Sequence, residues 1–181
     1  ILLLNLLLVF SFYSNSFSAT MHVLFVINTE DKGIGCENDL KNWESILPEI
    51  KKYSGIKIEK NYLKDKTWSD SDVNKKITQL KVDKDDVILF YYSGHGFRYT
   101  DGQKDQWPYL ALQDSSMGLY TVYSTLYKKN ARLLMVMADC CNSYCPGKPP
   151  VVSSKAPVSD DVIANNYKNL FLKAKGTIIA S

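Results

Sequence analysis

Three short, uninterrupted apolar runs limit what this chain can fold into: His22 to Asn28, Val87 to Tyr92 and Leu133 to Ala138. None offers a polar face in alternation, so each needs cover on both sides, as strands of a parallel sheet between helices do. The segments between them supply that cover. Leu40, Trp43, Ile46, Leu47 and Ile50 recur at helical spacing, with Pro48 a candidate kink. Ser69 to Leu80 reads as a helix capped by Asp70 or Ser71, and Met117 to Lys129 and Asp160 to Ala174 read as two more. Ile56 to Leu63 alternates as a half-exposed strand does, and Thr177 to Ala180 is a last short strand. Gly33 to Asn38 reads as a loop, Tyr99 to Leu112 as irregular chain with a possible hairpin at Asp101-Gly102, and Ser143 to Ser159 as a loop rich in Pro, Lys and Ser. The expectation is an α/β fold of three layers, a mostly parallel sheet with helices on both faces, occupying residues 21 to 181 as one domain.

The first twenty residues stand apart. Ile1 to Phe12 is an almost unbroken apolar run, followed by the small and polar stretch Ser14 to Thr20. That is the pattern of the apolar region and cleavage zone of a secretory signal peptide, and its length falls short of the roughly 20 residues a bilayer span requires. The expectation is a partial signal over residues 1 to 20, a secreted or periplasmic product, and no stable membrane span once the signal is removed.

Charge narrows the partners. A net charge of +3, with lysines scattered in exposed pairs such as Lys51-Lys52 and Lys75-Lys76, gives no basic patch for nucleic acid. Export permits disulfides, and Cys140 and Cys145 are spaced to close a small ring, whereas neighbouring Cys140 and Cys141 pair only with strain. The four cysteines show no paired C-x-x-C spacing, and His22 and His95 are the only histidines, so no metal site is expected.

Two of the apolar runs end in reactive residues. Val87 to Tyr92 runs into Ser93-Gly94-His95-Gly96, and Leu133 to Ala138 into Asp139-Cys140-Cys141. In open α/β sheets, reacting groups gather beyond the carboxyl ends of the strands, and neighbouring strands lie about 5 Å apart. An imidazole and a thiol so placed suit attack on an amide carbonyl: the thiolate adds, and the imidazolium protonates the leaving amine. The backbone N–H groups of Gly96 and Cys141 are candidate donors to the oxyanion.

Tyr91-Tyr92-Ser93-Gly94-His95-Gly96 after one strand and Asp139-Cys140-Cys141-Asn142-Ser143 after the next resemble the caspase and metacaspase superfamily of cysteine peptidases. The 46 residues from His95 to Cys141 suit it. Gly35-Cys36-Glu37-Asn38-Asp39 is similar to a third metacaspase motif, which makes the metacaspases the nearer branch. The resemblance covers residues 22 to 181 and implies a caspase-like p20-type catalytic domain. Its nucleophile is Cys141, with Cys140 in the variable position, and its base is His95. It also implies a polypeptide substrate held by Asp39, Asp139 and Ser93, with cleavage after Lys or Arg, because two converging carboxylates call for a cation.

Other readings of single residues stay open. Asp39 also suits a helix cap, Asp139 a loop-ordering hydrogen bond, and Tyr91 and Tyr92 the core. Lys148 and Lys155 in the loop after Cys141 are candidate sites of self-cleavage. Departures from the family are Asn142 and Tyr144, where it carries His and Gly. Asp101, Asp105 and Asp114 occupy the region that binds calcium in many metacaspases, but their spacing is not diagnostic, so no cofactor is expected. The resemblance further implies a p10-type partner segment after Ser181, without which the 181-residue chain is expected to be poorly active. The rival readings are a caspase-fold protease of other specificity, such as an acidic preference, an inactive caspase-like binding or regulatory module, and a disulfide-stabilised extracellular binding domain.

Overall fold

The structure, a computed structural model, describes residues 19–99, 106–142 and 159–181. Its elements in chain order are β1 (Thr20–Ile27), α1 (Cys36–Ser54), β2 (Lys57–Leu63), α2 (Asp70–Gln79), β3 (Val87–Ser93), β4 (Gly96–Phe97), β5 (Tyr109–Ala111), β6 (Ser116–Gly118), α3 (Leu119–Tyr127), β7 (Leu133–Asp139), α4 (Asp160–Lys168), a single π turn (Asn169–Lys173) and β8 (Gly176–Ala180). The five longer strands, apart from the short β4 to β6, form one parallel sheet in the order β2-β1-β3-β7-β8. The three apolar runs occupy its centre, where both faces are covered. All seven residues of β3 are buried.

Strand alternation divides the core into two halves. Ile88, Phe90 and Tyr92 of β3 and Leu134, Val136 and Ala138 of β7 face one side, where Val73 and Ile77 of α2 and Val122 and Leu126 of α3 cover them. Val87, Leu89 and Tyr91, with Leu133 and Met135, face the other side, against Leu47 and Ile50 of α1 and Phe171 of the π turn. Each such side chain removed from water contributes about 1.5–3 kcal/mol, which is why the central strands define the fold. The expected three-layer α/β architecture is present.

Local details depart from expectation at element ends. α1 begins at Cys36, inside the expected loop, after Gly35 turns the chain at φ 76°, and it continues through Pro48 to Ser54. Ser69, rather than Asp70 or Ser71, caps α2: its side chain accepts from Asp72 N while Asp72 answers to the Ser69 amide, a reciprocal capping box. Met117 lies in β6, not in a helix, because Ser116 to Gly118 pair with Tyr109 to Ala111, and α3 starts only at Leu119. The irregular stretch therefore holds a strand, β5, which pairs with both β4 and β6. The last helix ends in the π turn, closed by Ala174 N donating to Asn169 O at 2.8 Å. The expected signal over 1 to 20 lies almost wholly outside the described residues, as do the Asp101-Gly102 hairpin and nearly all of the loop from Ser143 to Ser159. Among the described residues no helix is long and apolar enough to cross a membrane.

At the amino edge of the sheet, Asp86 ties three strands together. Its carboxylate accepts from Thr20 N at 2.7 Å and Asp83 N at 2.8 Å and meets His22 Nε2 at 2.9 Å, while its carbonyl accepts from Arg132 N at 2.9 Å. The opposite, carboxyl edge carries the candidate site.

Candidate active site

The register of the sheet places the expected residues. Ser93 ends β3 directly opposite Asp139, which ends β7. Both continue the face of their strands that meets α1, and Asp39 stands in the first turn of that helix. Buried Ser93 donates from Oγ to Asp39 Oδ2 at 2.6 Å, so Asp39 is held by a side chain rather than serving as the helix cap. Burial raises the pKa of the Tyr91 phenol, and the charges of Asp39 and Asp139 raise it further, which places both carboxylates near one ring. A cavity of about 250 Å³ opens here, lined by Tyr91, Met137, Ala138, Asp139, Ala180 and Ser181. Asp139 itself is exposed, which argues against the loop-ordering role, and its carbonyl accepts from Gly94 N at 3.3 Å.

The two adjacent cysteines part company. Cys140 is half-buried and packs against the core on the α2 and α3 side, and burial pushes its thiol up to about 12. Cys141 is exposed. Alternation continued past β7 turns it to the side of Asp139, where Asp39 and Ser93 also lie. Cys36, the first residue of α1, is buried, and desolvation raises its pKa as well. Cys36, Cys140 and Cys141 are free thiols; Cys145 lies outside the described residues, as do Lys148 and Lys155.

Gly96 is where the backbone closes in on the cysteines. A Cβ at this position would fall 2.5 Å from Cys140 Sγ and 2.8 Å from the carbonyl oxygen of Cys141, so no larger residue fits without displacement. Gly96 faces Leu110 across β4 and β5, and Ala111 N donates to His95 O at 2.9 Å. That bond marks Gly96 and Leu110 as a pair that exchanges no hydrogen bonds, so the Gly96 N–H points away from β5. The orientation suits an oxyanion donor.

His95 projects from the loop between β3 and β4 with 56% of its side chain exposed, and its Nε2 lies 2.9 Å from Oδ2 of Asp31. Asp31 sits in the loop between β1 and α1, where its Oδ1 accepts from Gly33 N at 2.8 Å. The hydrogen bond with His95, followed by that of Gly33, lowers the pKa of Asp31 and keeps it ionised. Beneath them Tyr92 Oη lies 2.7 Å from the carbonyl oxygens of both His95 and Ala111. Sequence reasoning missed Asp31, whose position just past a strand end was the one available signal, and it saw in Tyr92 only a core residue.

Among the described residues no group of three or more His, Cys, Asp or Glu side chains is arranged to hold a metal. Asp114 accepts from the amide of Asp70 at the start of α2 at 3.0 Å, while Asp101 and Asp105 lie outside the described residues.

Adjacent strands of the parallel sheet thus deliver His95 and the exposed thiol of Cys141 to one edge. The family model described as the caspase domain matches residues 21–177, and the chain belongs to that family. No curated protein matches the sequence. Among solved structures, the chain is similar to protein GSU0716 from Geobacter sulfurreducens, with 20% identity and a TM-score of 0.44 over 68% of this chain. The match spans half of that protein's length.

Proposed function

We propose that this member of the caspase-domain family is an endopeptidase that cleaves polypeptides after Lys or Arg, with Cys141 as nucleophile and His95 as general base and acid. The observation that carries the reading is the separation of roles at the end of β7: Cys140 is turned into the core with its proton held, while Cys141 is exposed at the carboxyl edge of the sheet. In the first half-reaction the imidazole takes the Cys141 proton and the thiolate adds to the scissile carbonyl, giving an oxyanion bonded by the Gly96 and Cys141 amides. The carbon–nitrogen bond then breaks, the imidazolium gives its proton to the leaving amine, and an acyl-enzyme remains. Water, deprotonated by the same imidazole, hydrolyses the thioester and returns the thiol. Each step uses side chains and backbone already described.

The specificity follows from Asp39 and Asp139. Two carboxylates flanking Ser93 repel each other unless a cation enters, and a substrate guanidinium or ammonium group supplies it with charge-assisted hydrogen bonds. An acidic side chain in the same place meets like charge. The geometry and the motif of Gly35 to Asp39 also fit the metacaspase branch. Export remains part of the reading on the strength of the apolar run Ile1 to Phe12, and self-cleavage after Lys148 or Lys155 follows from the same specificity.

The test is a fluorogenic peptide panel varying only the residue before the cut, run on the protein produced from its own gene and on Cys141→Ala. Rapid cleavage after Arg and Lys, lost in the variant, supports the reading. Preference for Asp, or equal rates after Arg and Leu, supports a caspase-fold protease of other specificity instead. Absence of cleavage in both supports the inactive module.

A further inference from the structure

The dyad reading leaves Asp31 without a part, although it holds the imidazole more directly than any residue so far assigned. We propose that Asp31 is a third, positioning member of the site, fixing His95 in the tautomer that carries its proton on Nε2 so that Nδ1 is the nitrogen that takes the Cys141 proton.

The argument rests on geometry. A carboxylate oxygen 2.9 Å from a ring nitrogen is a hydrogen bond, and an ionised carboxylate can only accept, so the proton lies on Nε2. A neutral imidazole with its proton on Nε2 has its lone pair on Nδ1. Asp31 is itself fixed: its second oxygen accepts from Gly33 N at 2.8 Å, which sets the plane of the carboxylate. The neighbouring charge does not compete, because Lys32 is paired with Glu37. His95 needs such a holder, since more than half of its side chain is open to solvent. Its backbone is braced on the other side by Tyr92 and Ala111, so what Asp31 adds is the ring torsion and the tautomer. It also stabilises the imidazolium that forms when the thiol is deprotonated.

The inference rests on the proposed dyad, and its test separates the two. The chain contains two histidines, so two-bond proton–nitrogen NMR spectra recorded at about pH 8, above the ordinary histidine pKa of ~6.5, resolve both rings, and His95→Ala identifies one of them. The inference expects the Nε2–H tautomer for His95 in the wild-type protein and in Cys141→Ala, and a mixture in Asp31→Asn. In a buried triad the equivalent Asp→Asn change lowers kcat by about 10⁴. With both partners here half exposed and screened, Asp31→Asn is expected to lower kcat by about 10- to 100-fold with KM within about twofold, and Asp31→Glu to restore part of it. An Nδ1–H or mixed tautomer in the wild-type protein, or an unchanged kcat in Asp31→Asn, overturns the role of Asp31. Full activity in Cys141→Ala overturns the dyad instead, and leaves the tautomer result standing on its own.

Discussion

Tyr92 reaches past Gly94 to set its hydroxyl 2.7 Å from the carbonyl oxygen of His95, and a Cβ on Gly94 would fall 2.4 Å from that hydroxyl. A buried core side chain thus fixes the backbone of the loop that carries the candidate base. Tyr92→Phe keeps the ring and removes the brace, leaving Ala111 O short of a donor. We expect a loss of about 1–2 kcal/mol in stability and a fall in kcat larger than any change in KM. Chemical denaturation alongside peptide hydrolysis measures both.

The two adjacent cysteines differ in exposure, and should differ in reactivity. With its thiol pushed up to about 12 by burial, Cys140 stays protonated through the neutral range, whereas Cys141 is open to reagent. Iodoacetamide at pH 7–8 is expected to alkylate Cys141 at least about 100-fold faster than Cys140, since only the thiolate reacts. Peptide mapping by mass spectrometry reads this out directly. In parallel, Cys141→Ala should abolish hydrolysis and Cys140→Ala should retain most of it.

Gly96→Ala tests the close approach at the proposed oxyanion donor. The new methyl group meets Cys140 Sγ at 2.5 Å and the Cys141 carbonyl at 2.8 Å, so β4 and the cysteine segment must move apart. Losing one oxyanion donor typically lowers kcat by about 10²–10³-fold. We expect a loss approaching that range in a protein whose far-ultraviolet circular dichroism is unchanged.

Removing one carboxylate should alter selectivity more than folding. Asp139→Ala changes an exposed side chain, so its cost in stability is expected within about 0.5 kcal/mol. On Arg substrates kcat/KM should fall by about 10- to 100-fold, equivalent to about 1–3 kcal/mol of a charge-assisted contact. Asp39→Asn should act in the same direction, with an added penalty from disturbing the Ser93 hydrogen bond. Kinetics on paired Arg and Leu substrates decide the outcome.

Asp86 supports a prediction about acid. Burial opposes its charge, but the amides of Thr20 and Asp83 and the ring of His22 outweigh that and hold its pKa below the ordinary carboxylate value. A depressed folded pKa means that the unfolded chain takes up the proton first as pH falls. The stabilisation is complete above the unfolded value of about 3.9 and is lost as pH drops through the folded value. Asp86→Ala should lower stability at pH 7 by about 2–4 kcal/mol, because three donors lose their acceptor. It should also flatten the decline below about pH 4, as denaturant midpoints measured across pH would record.

What could be read from the chain depended on how local the physics is. Val87 to Tyr92 was legible because a strand buried on both faces carries a continuous apolar signature. The placement of His95 and Cys141 at the carboxyl edge was legible because each follows such a strand closely. Ser69 was misjudged by one or two residues because Ser69, Asp70 and Ser71 are all competent caps, and only the answering side chain of Asp72 decides. Met117 was read as helix because its neighbours suit one; its strand exists through pairing with Tyr109 to Ala111, a contact that no local pattern announces. Asp31 was invisible for the same reason. Its partner lies 64 residues away, and apart from its place just past β1 nothing sets Glu30-Asp31-Lys32 apart from a solvated turn.

The Asp86 junction and the candidate site sit at opposite ends of strands seven residues long, about 20 Å apart along the sheet at the usual rise per residue. Substitutions that far apart, with no shared partners, combine additively. An engineer can therefore harden this molecule at its floor, or weaken it there to hasten turnover in a cell, and leave the working rim to be tuned as a separate problem.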